Sequence, residues 1–240
     1  MKRIYYSFVV LSLFLVSCTA RISSTVRADG SATVTLRMTV EPRMAALIRQ
    51  LSAVNARTNP GNLVVNGSEI AASLSASAGV RSADLRNINP TTIEGTIIVA
   101  DINKFLSVQT SQGGKQFSRY RAPTKSTDGN FAIDIDRLSG PQIVDLVSKE
   151  VSEYLAAIMA PVVTGEILSK AAYLDLVRSV YNKPIADEIA AARIRATIEF
   201  PRPVSRSQGG VFNGRRVEFD IPLIDLLVLE TALHYEVSWR

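Results

Sequence analysis

Two runs of strict alternation that meet at an Asp-Gly pair constrain this chain more than any other feature. Ile22, Ser24, Val26 and Ala28 alternate with polar neighbours, Asp29-Gly30 intervenes, and Ala32, Val34, Leu36, Met38 and Val40 then alternate with Ser31, Thr33, Thr35, Arg37 and Thr39. A period of two puts every second side chain on one face, and Asp-Gly accepts the backbone angles of a tight turn, so the segment reads as a β-hairpin. One face of that hairpin is apolar and has to be covered, which demands a sheet with another layer packed on it.

The residues before the hairpin read as an address. Lys2 and Arg3 precede an apolar run from Ile4 to Val16, which ends at Ser17-Cys18. Thirteen residues at ~1.5 Å rise make roughly 20 Å of helix, short of a ~30 Å hydrocarbon core, so residues 1–17 read as a secretion signal and not a permanent span. Leu15-Val16-Ser17-Cys18 resembles the lipobox of bacterial lipoproteins, in which the cysteine is diacylated, commonly with palmitate, and becomes the new N-terminus. Cys18 is the single cysteine of the 240 residues and stands where lipidation needs it. The expectation is a lipid-anchored protein of the cell membrane or outer membrane, facing the periplasm or the exterior, its partner the bilayer through N-terminal acyl chains. Thr19, Ala20 and Arg21 are all that separates Cys18 from the first alternating residue, so the domain would stand within roughly 10–15 Å of the headgroups.

Composition narrows the function. The full chain carries 27 basic and 22 acidic residues, and loss of Lys2 and Arg3 leaves 25 basic, a formal +3. So small an excess on an exported protein does not support a nucleic-acid partner. One cysteine and one histidine leave a metal site dependent on carboxylates, and no cofactor motif is present, so neither metal nor cofactor is expected.

Beyond the hairpin, Met44, Leu47, Ile48 and Leu51 recur at helical spacing after Glu41-Pro42, and Ser68 is placed to cap a second helix running to Gly79. A strand is expected from Thr92 to Ala100, a short helix after Asp101, a basic loop from Thr110 to Lys125, and a strand through Phe131, Ile133 and Ile135. Ser139 to Gln142 reads as a capping box that opens a helical block over residues 139–192. Strands return at Ile194 to Phe200 and after the Asn213-Gly214 turn, and the last strand places Leu233, Tyr235, Val237 and Trp239 inward. The expected fold class is α+β, an antiparallel sheet of about six to eight strands with helices packed on one face. Residues 18–240 read as a single extracytoplasmic domain with that helical insertion.

Residues that could carry chemistry are few. His234 belongs to the polar register of the last strand and reads as solvent-facing, with no nucleophile-elbow pattern to serve. Asp128, Asp134 and Asp136 lie close in sequence, but their spacing is not that of a calcium loop. No catalytic residue is assigned. Two features remain, an apolar stretch from Leu155 to Val163 and a set of loop cations. Joined, they form a lipid groove lined by Leu155, Ile158, Met159 and Val162, with Arg119, Arg121, Arg215 and Arg216 at its mouth for an anionic headgroup.

The hairpin Ala28 to Leu36, the helix beginning at Pro42, the ending Val217 to Leu227 and the segment Tyr235 to Trp239 together resemble the LppM-type family of actinobacterial lipoproteins. The resemblance implies an extracytoplasmic α+β domain that binds phospholipid or glycolipid, such as phosphatidylinositol mannosides, and it carries over no individual ligand-binding residue. The leading expectation is therefore a non-enzymatic, membrane-anchored lipoprotein that binds amphipathic lipid or glycolipid. The alternative is an envelope scaffold or protein-interaction and adhesion module with no small ligand.

Overall fold

The computed structural model describes residues 19–54, 63–107, 118–124, 127–139 and 159–240. Residues 1–17, expected to be a signal peptide, Cys18, Leu155, Ile158 and most of the first half of the expected helical block lie outside them. The strands are β1 (Thr19–Val26), β2 (Ala32–Thr39), β3 (Val80–Asn89), β4 (Thr92–Val99), β5 (Ser118–Arg121), β6 (Gly129–Ile135), β7 (Arg193–Glu199), β8 (Val204–Gln208), β9 (Val211–Asn213), β10 (Arg216–Pro222) and β11 (Leu233–Trp239). The described helices are α1 (Pro42–Val54), α2 (Gly67–Ser75), α3 (Ile102–Ser107), α4 (Ala160–Thr164), α5 (Lys170–Val180), α6 (Lys183–Ala191) and α7 (Leu223–Val228). None of them is long and apolar enough to cross a membrane.

The α+β class holds, but the strands form two sheets, not one. Seven strands pair in the order β3-β4-β2-β1-β7-β10-β9, and four in the order β5-β6-β11-β8. The larger sheet is mixed, because β1 and β7 run parallel from Thr19↔Arg193 to Thr25↔Glu199. Parallel neighbours need a long crossover, and here everything between β1 and β7 in the chain supplies it. Local pairings follow the sequence closely. The β1–β2 hairpin closes through Gly30 at φ 80°, while Asp29 Oδ1 accepts from Ser31 N at 3.0 Å and Ser31 Oγ at 2.7 Å. Asn213-Gly214 joins β9 to β10.

The apolar faces of the two sheets meet. Val26, Ala32, Val99, Val217 and Phe219 of the larger sheet pack against Tyr120, Val204, Val237 and Trp239 of the smaller, with Phe200 between them. A second cluster gathers the helices, with Met44, Ala45 and Ile48 of α1 against Tyr173 and Val177 of α5, Ile185 and Ile189 of α6, and Ile224 and Leu227 of α7. Since α1 follows β2, α6 precedes β7 and α7 follows β10, this cluster lies at the Thr19 end of the larger sheet.

Local capping departs from expectation at two places. Asn66, not Ser68, caps α2, its side chain accepting from Ser68 N at 3.2 Å. Asn66 is as good a cap as serine and sits one position before the first helical residue, where the geometry requires it. Asp136 is not part of β6. It lies past the strand end and accepts from Leu138 N at 3.0 Å and Ser139 N at 2.8 Å, which turns the chain.

Candidate functional site

The described members of the expected lipid groove fall in separate places. Met159 and Val162 are 2% and 3% exposed and belong to the helix-side core. Arg119 and Arg121 alternate with buried Ser118 and Tyr120, so they stand on the outer face of the smaller sheet. Arg215 lies just before β10 and Arg216 opens it, and Arg216 precedes the first residue of α7 by seven positions, roughly 20 Å along a strand. The loop cations thus do not converge on Met159 and Val162, and each of three meets an acid. Arg119 pairs with Asp134 at 2.9 Å, Arg215 with Glu199 at 2.5 Å and Arg216 with Glu218 at 2.8 Å.

His234 faces outward as expected and is held tightly. Its Nδ1 donates to Asp134, directly opposite on β6, and its Nε2 lies 3.6 Å from Glu236. Asn130 Nδ2 donates to Glu236 at 2.7 Å and completes the chain of contacts. In a catalytic triad the second ring nitrogen turns to a nucleophile; here it turns to a carboxylate, so the group is a ladder of polar contacts between β6 and β11. Among the described residues no group of three His, Cys, Asp or Glu side chains could hold a metal ion.

The arrangement with the most open chemistry lies on the polar face of the larger sheet, and the sequence reading passed over it. Strand register places Arg86 opposite Glu94, Glu94 opposite Arg37, Arg37 opposite Arg21, Arg21 opposite Arg195, and Arg195 opposite Asp220. Six strands therefore contribute one charged residue each to a single row. The acids sit toward its flanks and three arginines sit side by side on the central strands β2, β1 and β7. Arg37 and Arg86 share Glu94, at 3.3 and 3.1 Å, and Arg195 lies 3.8 Å from Asp220. Arg21 has no ion-pair partner among the described residues.

Part of this row lines a groove of about 530 Å³, walled by Arg21, Arg37, Arg86 and Glu94 and by Ser23, Thr35, Asp84 and Thr96 from the next row. Its floor runs over Leu36 and Gly95. Gly95 is required there because the β3 backbone comes so close: a Cβ at this position would lie 1.9 Å from the Asp84 carbonyl oxygen. Guanidinium groups present fixed forks of N–H donors that match carboxylate and phosphate oxygens, and neighbouring hydroxyls add single donors. The arrangement can hold an anion.

The only sequence signal for this row is phase. Arg21, Arg37 and Arg195 all occupy polar positions of alternating strands, but which strands neighbour each other is set by a crossover that local pattern does not reveal. The fold and the site together define a two-sheet α+β domain with a polar sheet face that is cationic at its centre. No family model matches the chain, and no curated protein matches it. Among solved structures, the folded domain of the LppM protein from Mycobacterium tuberculosis, determined by NMR, is similar at 9% identity and a TM-score of 0.42, over 94% of this chain and 90% of that one.

Proposed function

We propose that this chain is a membrane-anchored bacterial lipoprotein whose α+β domain engages amphipathic lipid or glycolipid at the bilayer surface without catalysing a reaction. The observation that carries the reading is where the chain enters the fold. Thr19 is the first residue of β1, and β1 is the middle strand of the seven. No tether separates it from Cys18, the residue read as acylated. At ~3.3 Å per residue, Arg21 lies about 10 Å from Cys18, so anchoring there holds the central arginines near headgroup level. A cation close to an anionic surface gains about 1 kcal/mol. Lipid engagement on this view is headgroup contact with a polar sheet face, because Met159 and Val162 are packed in the core. The location proposed is the cell membrane or outer membrane, on its periplasmic or exterior side.

The test has two parts. Intact mass measurement of the full chain expressed in a bacterial host should give a mature form beginning at Cys18 and carrying acyl chains, and the Cys18→Ala chain should take up no labelled palmitate. Unlabelled wild-type protein overturns the anchor. Native mass spectrometry of the detergent-extracted chain should then show retained phospholipid, and a bare chain removes the lipid reading.

One observation favours the alternative of a protein-docking module. Leu138 is 80% and Ile167 83% exposed, and the Arg137 side chain holds their segments together by donating to Glu166 O at 2.5 Å and Leu168 O at 3.3 Å. Solidly packed Met159 and Val162 with large apolar side chains left outside are what a docking surface requires. A chain free of lipid that cross-links to another envelope protein through positions 138 and 167 selects this reading.

A further inference from the structure

We infer that Arg37, Arg21 and Arg195 form an anion-binding row whose ligand is a phosphate-bearing group with at least two negative charges. Like charges directly opposite on neighbouring strands repel, so a run of three across β2, β1 and β7 costs the free protein stability. Salt bridges elsewhere on the surface show the ordinary remedy, one acid for each cation: Lys170 with Asp225 at 2.9 Å, Lys183 with Asp187 at 2.7 Å, Arg119 with Asp134 at 2.9 Å. This row has four arginines and two acids, and both acids stand outside the central three.

The dimensions select the ligand. Neighbouring strands are ~4.8 Å apart, so the bases of the three side chains span roughly 10 Å. One phosphate bridges two of them by paired N–H···O bonds, and a diphosphate or two adjacent phosphates meet all three. Ser23 and Thr96, one row along, supply hydroxyl donors to the same groove, while the Thr35 hydroxyl donates to Ser23 O at 3.2 Å; Asp84 and Glu94 at the flank repel the anion from that side and confine it to the centre. The proposal deepens the membrane reading and rests on it only for the source of the phosphate, which is either a lipid headgroup or a soluble phosphate compound.

The experiment uses the full chain in dodecyl maltoside micelles. Inorganic pyrophosphate is titrated by calorimetry, first alone and then after cardiolipin, whose two phosphates carry two negative charges, has been added to the micelles. Wild-type protein should bind pyrophosphate, and Arg21→Gln should bind it about tenfold or more weakly, the loss of one charge-assisted contact. Arg195→Gln should weaken it in the same direction, and Lys183→Gln, on the exposed side of α6, should stay within about twofold of wild type. A melting temperature at or above the wild-type value for either arginine variant keeps the readout on binding. Competition by cardiolipin assigns the row to headgroups; pyrophosphate binding without competition assigns it to a soluble phosphate compound and removes the lipid reading while the site stands. Wild-type protein that binds neither probe, or arginine variants that bind both like wild type, overturns the site and leaves the palmitate test of the anchor untouched.

Discussion

The Glu188 carboxylate on α6 accepts the backbone N–H of Met44 at 3.0 Å, so a side chain 144 residues away caps the first turn of α1. The first turn of a helix leaves N–H groups without intrahelical partners, and the residue before α1 is Glu41, a weak cap by type. Glu188 supplies the missing acceptor and places negative charge at the positive end of the helix. Glu188→Ala should lower stability by about 1–2 kcal/mol in urea unfolding, and Glu188→Gln, which keeps an acceptor, by less. Equal losses for the two would show that the acceptor is not what matters.

Glu41 lies beside this carboxylate, and burial, followed by the Glu188 charge, raises its carboxyl above the ordinary value. A carboxyl raised on folding favours the folded state while it is protonated, below its unfolded value near 4.5, and that contribution is lost as pH rises through the folded value. Glu41→Gln should therefore raise the melting temperature at pH 7 and change it much less at pH 4. A larger gain at pH 4 than at pH 7 contradicts the sign. Asp29 runs the other way: the Ser31 backbone and hydroxyl donors hold its carboxyl below the ordinary value, so its contribution is present above pH ~4 and lost as pH falls through the folded value.

Gly95 controls how closely β3 packs on β4. With a Cβ only 1.9 Å from Asp84 O and 2.8 Å from Leu85 Cα, Gly95→Ala forces backbone apart and should cost about 3 kcal/mol or more. The same substitution reshapes the groove floor and should weaken pyrophosphate binding. Chemical unfolding with wild-type stability would show that β3 can move aside freely.

Tyr120 is stacked on Trp239, ring centres 5.9 Å apart, and Trp239 on Phe200 at 4.6 Å. The Tyr120 hydroxyl is buried without a hydrogen-bond partner among the described residues. Such a group loses its water contacts and gains nothing in return, so Tyr120→Phe should leave stability unchanged or raise it by about 1 kcal/mol. A loss of that size instead would mean the hydroxyl is satisfied. Trp239 is the sole tryptophan and is fully buried, so its fluorescence follows unfolding of the inter-sheet core directly.

Patterns carried by neighbouring residues were legible in the sequence. The alternation through Ile22 to Val40 and from Leu233 to Trp239 specifies strands with one buried face, and both stand as read, with Val237 and Trp239 fully inside. The edge strands were not legible. Val80 to Asn89 has Arg81, Asp84, Arg86 and Asn87 in it and only Leu85 buried, because an edge strand is protected by charge and needs little apolar face. β8 was hidden by Pro201 and Pro203, which break the run before it without preventing a new strand in the other sheet. The arginine row needed more than strand recognition. It exists only once the parallel β1–β7 pair fixes which strands are adjacent, and Arg21 and Arg195 carry no mark of each other in the sequence.

The entry of the chain at the middle of the larger sheet also has a mechanical meaning. A pull on the segment before Thr19 acts along β1, which is paired over eight residues with β2 on one side and seven with β7 on the other. Drawing the strand out must shear both ladders at once, whereas an edge strand would unzip one bond after another. Forced unfolding is governed by the unfolding rate, so this attachment sets a high kinetic barrier against extraction along the strand. A load applied ahead of Thr19 is therefore resisted at the point where the chain enters the fold.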